Sequence, residues 1–161
     1  MAATPRSWAI LSAVKTVFAG ITAGSTYHNT LSSARVAIAA QTRERPTSGS
    51  PVILLSLRDV RAEWSEVHLL VTHEMTIDGV AFVMSDASSP SGRSEAACEL
   101  HADLSTALLL DTTLDGSGVS GVIDSMVTEF TAIPDEVATS GAPQFAFVVR
   151  VRYYRALSEA V

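Results

Sequence analysis

Cysteine, lysine and charge of either sign are what this sequence has least of. The single cysteine, Cys98, excludes an intrachain disulfide and a cysteine-based metal cluster. It fits a reducing compartment and reads as a small buried hydrophobe on a helix. Lys15 is the only lysine, and the ten arginines are scattered apart from Arg43/Arg45, Arg58/Arg61 and Arg150/Arg152/Arg155. With a net charge of −6 and a pI near 5.1, the basic footprint of a protein that grips DNA or RNA is missing. An acidic wall still lets nucleic acid slide past without sticking. Charged residues make up only 17% of the chain, against about 25% in an ordinary globular protein. Together with a mean hydropathy of +0.28, this predicts apolar surface covered by a partner subunit. No apolar run approaches the roughly 18 residues of a membrane span. The N-terminal M-A-A-T-P-R-S-W lacks the basic patch, apolar run and cleavage pattern of a signal peptide. The expectation is a soluble intracellular protein.

What is present is enough apolar material for a core. At 161 residues and 47% apolar, the chain is expected to form one domain over 1–161 and to hide roughly 70% of its unfolded surface. Ser7 can cap a helix starting at Trp8, in which Ile10, Leu11, Val14, Val17, Phe18 and Ile21 draw one stripe. Gly24–Thr30 reads as a turn, Arg35–Ala39 as a short strand, Gln41–Pro51 as a loop and Val52–Leu57 as a buried strand. Glu66–Asp78 alternates with period two, with Val67, Leu69, Val71, His73, Met75 and Ile77 on one face. Residues 85–94 have loop composition. Glu95–Leu110 turns helical again, with Ala97, Leu100, Leu104, Ala107 and Leu108 in a stripe. In Val122–Ala132 the residues Val122, Asp124, Met126, Thr128 and Phe130 alternate with Ile123, Ser125, Val127, Glu129 and Thr131; Pro134–Pro143 is a loop, and Gln144–Arg155 closes the chain as a strand. Phe145, Phe147, Val149, Val151 and Tyr153 share one face of that strand, and Arg150, Arg152 and Tyr154 the other. The order predicts an α+β fold, with two main helices on one face of a mostly antiparallel sheet. Three long loops in so small a domain point to contact with partners.

The stretch D-T-T-L-D-G-S-G-V-S-G, residues 111–121, carries the densest polar pattern and tests negative for chemistry. A phosphate-binding loop needs a lysine after its glycines, and none is present. Gly116, Gly118 and Gly121 match the dinucleotide spacing, but they follow a helix where that motif follows a strand. Ser120 has Gly118 two residues before it and Val122 two after it, so there is no nucleophile elbow. Asp111, Asp115 and Asp124 miss the alternate spacing of a calcium loop. The stretch reads as a turn at Asp115-Gly116, with Gly118 and Gly121 letting the chain swing into a strand.

The other polar residues form no constellation either. His68 and His73 lie five apart on one strand and face opposite sides. His73 reads as a core histidine, and His28 and His101 stand alone. Glu95 and Glu99 share a solvated helix face. Glu63 and Glu66 flank Trp64 in an arginine-rich turn and read as surface ion pairs. No catalytic residue, cofactor or metal is expected.

The layout resembles the tail terminator, or tail completion, proteins of long-tailed bacteriophages. The resemblance rests on an N-terminal helix running into a G-x-x-x-G-x-x-Y turn (Gly20–Tyr27) and the small strand after it. It continues with the long alternating strand followed by an alanine-rich helix, the T-L-D-G turn (Thr113–Gly116), and the closing V-V-R-V-R-Y-Y strand (Val148–Tyr154). It implies a structural virion protein at the neck end of the tail, assembled in the host cytoplasm. Such proteins form a ring, usually a hexamer, that caps the tail tube and joins it to the neck, stopper or connector protein. DNA passes through the lumen unheld, for which an acidic surplus is serviceable. Under this reading Arg43, Glu44 and Arg45 in the first long loop, Asp111 and Asp115 in the glycine-rich turn, and Arg150 and Arg152 on the last strand are interface residues. The alternatives are another head–tail joining or minor tail protein, told apart by the partner bound, and a small-ligand-binding or enzymatic α+β domain. The last would gain from a pocket joining His73 to a carboxylate.

Overall fold

The computed structural model of the chain describes residues 5–38, 51–64, 70–82, 90–133 and 144–156. In chain order its elements are α1 (Arg6–Ala19), β1 (Val36–Ile38), β2 (Val52–Trp64), β3 (Leu70–Phe82), α2 (Pro90–Leu110), β4 (Val122–Ile133) and β5 (Gln144–Ala156). The strands form one sheet in the order β1-β2-β3-β5-β4, with β1 parallel to β2 and every other pairing antiparallel. Both helices pack against this sheet, so the fold is α+β as the element order implies.

The two helical stripes form the core with the inward faces of the strands. Ile10, Leu11, Val14, Phe18 and Ile21 from the first stripe are buried, as are Ala97, Leu100, Leu104, Ala107 and Leu108 from the second. They meet Met75 and Ile77 of β3 and Phe145, Phe147, Val149, Val151 and Tyr153 of β5. The faces of β3 and β5 follow their period-two pattern because each is a central strand, pressed against helices on one side.

Several element boundaries differ from the sequence expectation, each for a physical reason. α1 begins at Arg6 after Pro5, whose carbonyl accepts from the Ala9 amide at 3.1 Å, so Ser7 lies inside the helix and caps nothing. β2 runs on to Trp64, so Glu63 sits on a strand and not in a turn. Its charged half, R-D-V-R-A-E-W, is held by thirteen-residue β3 along its whole length. β3 likewise continues through Asp78-Gly79 to Phe82. α2 starts at Pro90, five residues before the helical pattern becomes visible. Proline in the first turn loses no hydrogen bond, which makes Pro90–Ser94 compatible with a helix start despite their loop composition. β4 does not alternate strictly: register shifts between Val122 and Asp124 and between Val127 and Glu129 put Val122, Ser125, Val127 and Phe130 on the helix side. Cys98 is exposed. It stands one residue past Ala97, off the buried stripe, and this corrects its reading as a buried hydrophobe.

Those two shifts in β4, and a third between Leu57 and Asp59 of β2, are bulges, and bulges bend and twist a sheet. The sheet face away from the helices is concave. Arg58 of β2 and Glu129 of β4 line one groove there and their charges interact, although β3 and β5 lie between their strands. The curl also explains why Val148 and Thr76, on that face, are buried.

Candidate interaction surfaces

Three regions bring polar or exposed apolar side chains together. The first is the turn after α1. Gly24 donates from its amide to the Tyr27 carbonyl at 2.9 Å, and Leu31 donates to the Ile21 carbonyl at 2.8 Å, closing Gly20–Leu31 into a compact loop. Its anchor is Asp103 of α2, whose side chain is 1% exposed. The carboxylate accepts from the amides of His28 (2.9 Å) and Asn29 (2.7 Å), from the Asn29 side-chain nitrogen (2.9 Å), and lies 3.1 Å from His28 Nδ1. A buried carboxylate needs such donors, and here the turn supplies them. His28 is therefore not isolated. Asp103 escaped the sequence reading because it interrupts an apolar stripe without belonging to any motif.

The second region is the glycine-rich turn. A short 3-10 turn spans Asp115–Ser117, with Leu114 (φ 55°) before it and Gly118 (φ 80°) after it. Gly121 has φ 73°. The glycines take the left-handed region without cost, whereas Leu114 is held there against roughly 1 kcal/mol of steric penalty. Complete burial of the Leu114 side chain offsets that penalty. Asp111 and Asp115 each accept one hydrogen bond within the turn. Asp111 Oδ1 accepts from the Gly116 amide at 3.4 Å, and Asp115 Oδ2 accepts from the Thr113 hydroxyl at 3.0 Å. Ser125 of β4 donates its hydroxyl to the Thr112 carbonyl at 3.0 Å, and the Arg6 guanidinium donates to the Ser120 carbonyl. The stretch is a built turn that ties α2, α1 and β4 together.

The third region is the concave sheet face. Its groove, of about 380 Å³, is lined by Ser56, Arg58, Asp78, Val80, Glu129 and Val148 among others. Arg58 Nε donates to Asp78 at 3.0 Å, Arg61 Nε to Asp59 at 3.0 Å, and Arg152 holds Asp124 with two nitrogens. Pairing with Asp78 and Asp124 holds the Arg58 and Arg152 guanidinium groups even more firmly charged than usual. Asp59 is held below the ordinary carboxylate value by the Thr76 hydroxyl and, less strongly, by Arg61, against a partial loss of solvation. Exposed Arg150 lies beside Thr76 on β3 and Met126 on β4.

The expected interface residues are thus separated in space by element. Arg150 and Arg152 share the concave face, and Asp111 and Asp115 sit in the turn after α2. Arg43, Glu44 and Arg45 lie outside the described residues, as do the loops at 41–50 and 134–143 and the side chains of Glu66 and His68. Sequence reasoning missed the exposed apolar residues that accompany them. Leu109 and Leu110 end α2 at 75% and 69% exposure, and Trp8, Leu57, Val60, Met126 and Tyr154 are also exposed. For Leu109 and Leu110 the signal was available, since the buried stripe ends at Leu108.

Two histidines of the described residues lie against aromatic rings. His73 does lie on the helix-side face, half-buried, and its ring stacks on Tyr153 with centroids 5.2 Å apart. His101 tilts against Phe130 at 5.0 Å. Among the described residues no three His, Cys, Asp or Glu side chains are grouped so as to hold a metal ion. Among them, too, no helix is long and apolar enough to cross a membrane. No known protein family matches the sequence, and no curated protein matches it.

Proposed function

We propose that this chain is a structural assembly subunit of the tail-terminator type. It associates with copies of itself into a ring, expected to be hexameric, that caps a phage tail tube and joins it to the neck or connector protein. DNA passes through the lumen without being bound. The observation that carries this reading is the pair Leu109 and Leu110, adjacent and mostly exposed at the end of α2, on a chain with only 17% charged residues. Contiguous exposed apolar surface marks a site of protein contact. Fully covering either leucine gains roughly 1.5–3 kcal/mol of apolar transfer free energy, which offsets part of the cost of association. The layout resemblance supplies the kind of assembly, and the acidic balance suits a lumen that must not hold DNA.

The test is the mass of the purified protein in solution by light scattering, alone and with isolated tail tubes. A mass near six subunits, or a monomer that becomes a ring on meeting tubes, supports the reading. A different joining role, such as a stopper, is distinguished by binding to the connector without binding to tubes. The concave groove with Arg58, Asp78 and Glu129 on its walls favours a second reading, a small-ligand-binding domain. A monomer indifferent to both concentration and tubes would turn attention there.

A further inference from the structure

We infer that copies of this chain join head to tail through their sheet edges: β4 of one copy pairs antiparallel with the open half of β2 on the next. The inference rests on the proposed self-assembly and adds to the end of α2 a second pair of surfaces that take part in it.

The sheet ends in two unequal edges. At one side β4, twelve residues long, pairs with β5 and, among the described strands, with nothing beyond it. At the other side three-residue β1 covers only Ile53–Leu55 of β2, so among the described strands nothing pairs with the outer edge of Leu57–Trp64. An open strand edge presents unpaired backbone amides and carbonyls and templates further pairing unless it is blunted, most often by lysine or proline. β4 contains neither, and its only blunting features are two bulges and the acids Asp124 and Glu129.

Direction and level both match. Each pairing from β2 through β3 and β5 to β4 is antiparallel, so β4 runs opposite to β2. A second copy placed beside the first in the same orientation therefore meets β4 with an antiparallel β2 edge. The partners across the sheet give the level: Asp124 lines up with Arg152, Glu74 and Arg61; Met126 with Arg150, Thr76 and Asp59; Val127 with Val149, Ile77 and Leu57. Without stagger, Asp124 of one copy faces Arg61 of the next, and Val127 faces Leu57.

Those pairs are complementary on both faces. On the concave face Asp124, already held by Arg152, meets the guanidinium of Arg61, whose side chain is 77% exposed and donates only its Nε to Asp59, so the two intrachain pairs would join into one four-membered charge network across the contact. On the helix side, half-buried Val127 and Phe130 at the β4 edge meet exposed Leu57 and Val60, which the chain's own helices leave uncovered. Cross-strand apolar and opposite-charge pairs are what stabilises strand pairing. Two different edges joined in this way make a heterologous contact, which closes into a ring when each copy is turned by a constant fraction of a full circle relative to the last.

The experiment uses the full chain with Cys98→Ser to remove the exposed native thiol, and adds Met126→Cys on β4 together with Asp59→Cys or Arg61→Cys on β2. Directly opposed cysteines fall within disulfide reach, and a short bis-maleimide covers a two-residue stagger. Masses of the same samples are read by light scattering. The expected result is a ladder of cross-linked species beyond the dimer in a double variant, with no cross-linking in any single variant. A ladder that stops at dimers formed by Met126→Cys alone would overturn head-to-tail pairing in favour of a symmetric β4–β4 contact. A ring mass with no cross-link from any pair would overturn the edge contact while leaving the ring intact. A monomer without cross-links would overturn both.

Discussion

Asp103 and His28, 75 residues apart in the chain, are joined by three hydrogen bonds to one buried carboxylate, two from the His28 amide to its two oxygens and one from the ring. Asn29 adds two more. The carboxylate thus replaces a hydrophobic contact that α2 would otherwise make, and it fixes the turn after α1 to the second helix. Asp103→Ala is expected to destabilise the fold by about 2 kcal/mol, because it strands buried donors as well as removing bonds. Asp103→Asn, which keeps one acceptor oxygen, should recover part of the loss. Urea denaturation midpoints of the three proteins measure both.

Gly79 leaves no room for a Cβ beneath the Phe147 ring. A Cβ on Gly79 would lie 2.0 Å from the Phe147 ring, which is itself edge-on to Phe18 with centroids 6.1 Å apart. Gly79→Ala should cost about 1–3 kcal/mol by overpacking. Combining it with Phe147→Leu should cost less than the sum of the two changes, a non-additivity expected of residues in contact. Thermal unfolding of the single and double variants gives the coupling.

The glycine-rich turn separates backbone strain from crowding. Gly118 has φ 80° and open space within 4 Å of where a Cβ would stand, so Gly118→Ala should lose about 1 kcal/mol through conformation alone. At Gly121, φ 73°, an added Cβ also meets the Arg6 guanidinium at 2.6 Å. Gly121→Ala should lose more, and Arg6→Ala should remove the excess. Chemical denaturation distinguishes the two.

Acid should weaken the fold partly through Asp59. Its carboxyl is held below its ordinary value by Thr76 and Arg61. The stability this supplies is complete above the unfolded-state carboxylate value and disappears as pH falls through the lower folded value. Asp59→Asn should flatten that part of the stability–pH curve and leave the neutral-to-alkaline part parallel to that of the natural sequence. Denaturation midpoints measured from neutral pH downward report the slope.

Leu109→Asp and Leu110→Asp should leave monomer stability within about 0.5 kcal/mol, as surface changes usually do. Both side chains are mostly exposed, and their replacement should shift the solution mass toward monomer at a given concentration. Equal mass in variant and natural protein would remove α2's end from the assembly contact.

Local periodicity decided much of this molecule. The stripes of α1 and α2, the alternation of β3 and β5, and the turn at Asp115–Gly118 follow from residues three to five positions apart, or two, and the structure places them as their spacing implies. The glycines, serines and acids in residues 111–121 likewise miss the spacings of the familiar phosphate, nucleophile and calcium loops, which is legible in the sequence. Tertiary structure decided everything that depends on a distant partner. Charged Arg58–Trp64 is a strand only because β3 pairs with it, and α2 reaches back to Pro90 although its first turn reads as a loop. The β4 alternation breaks where bulges curl the sheet, bringing Arg58 toward Glu129 across two strands. Asp103 finds His28, and Gly79 makes room for Phe147, through contacts far apart in sequence that no short window of residues contains.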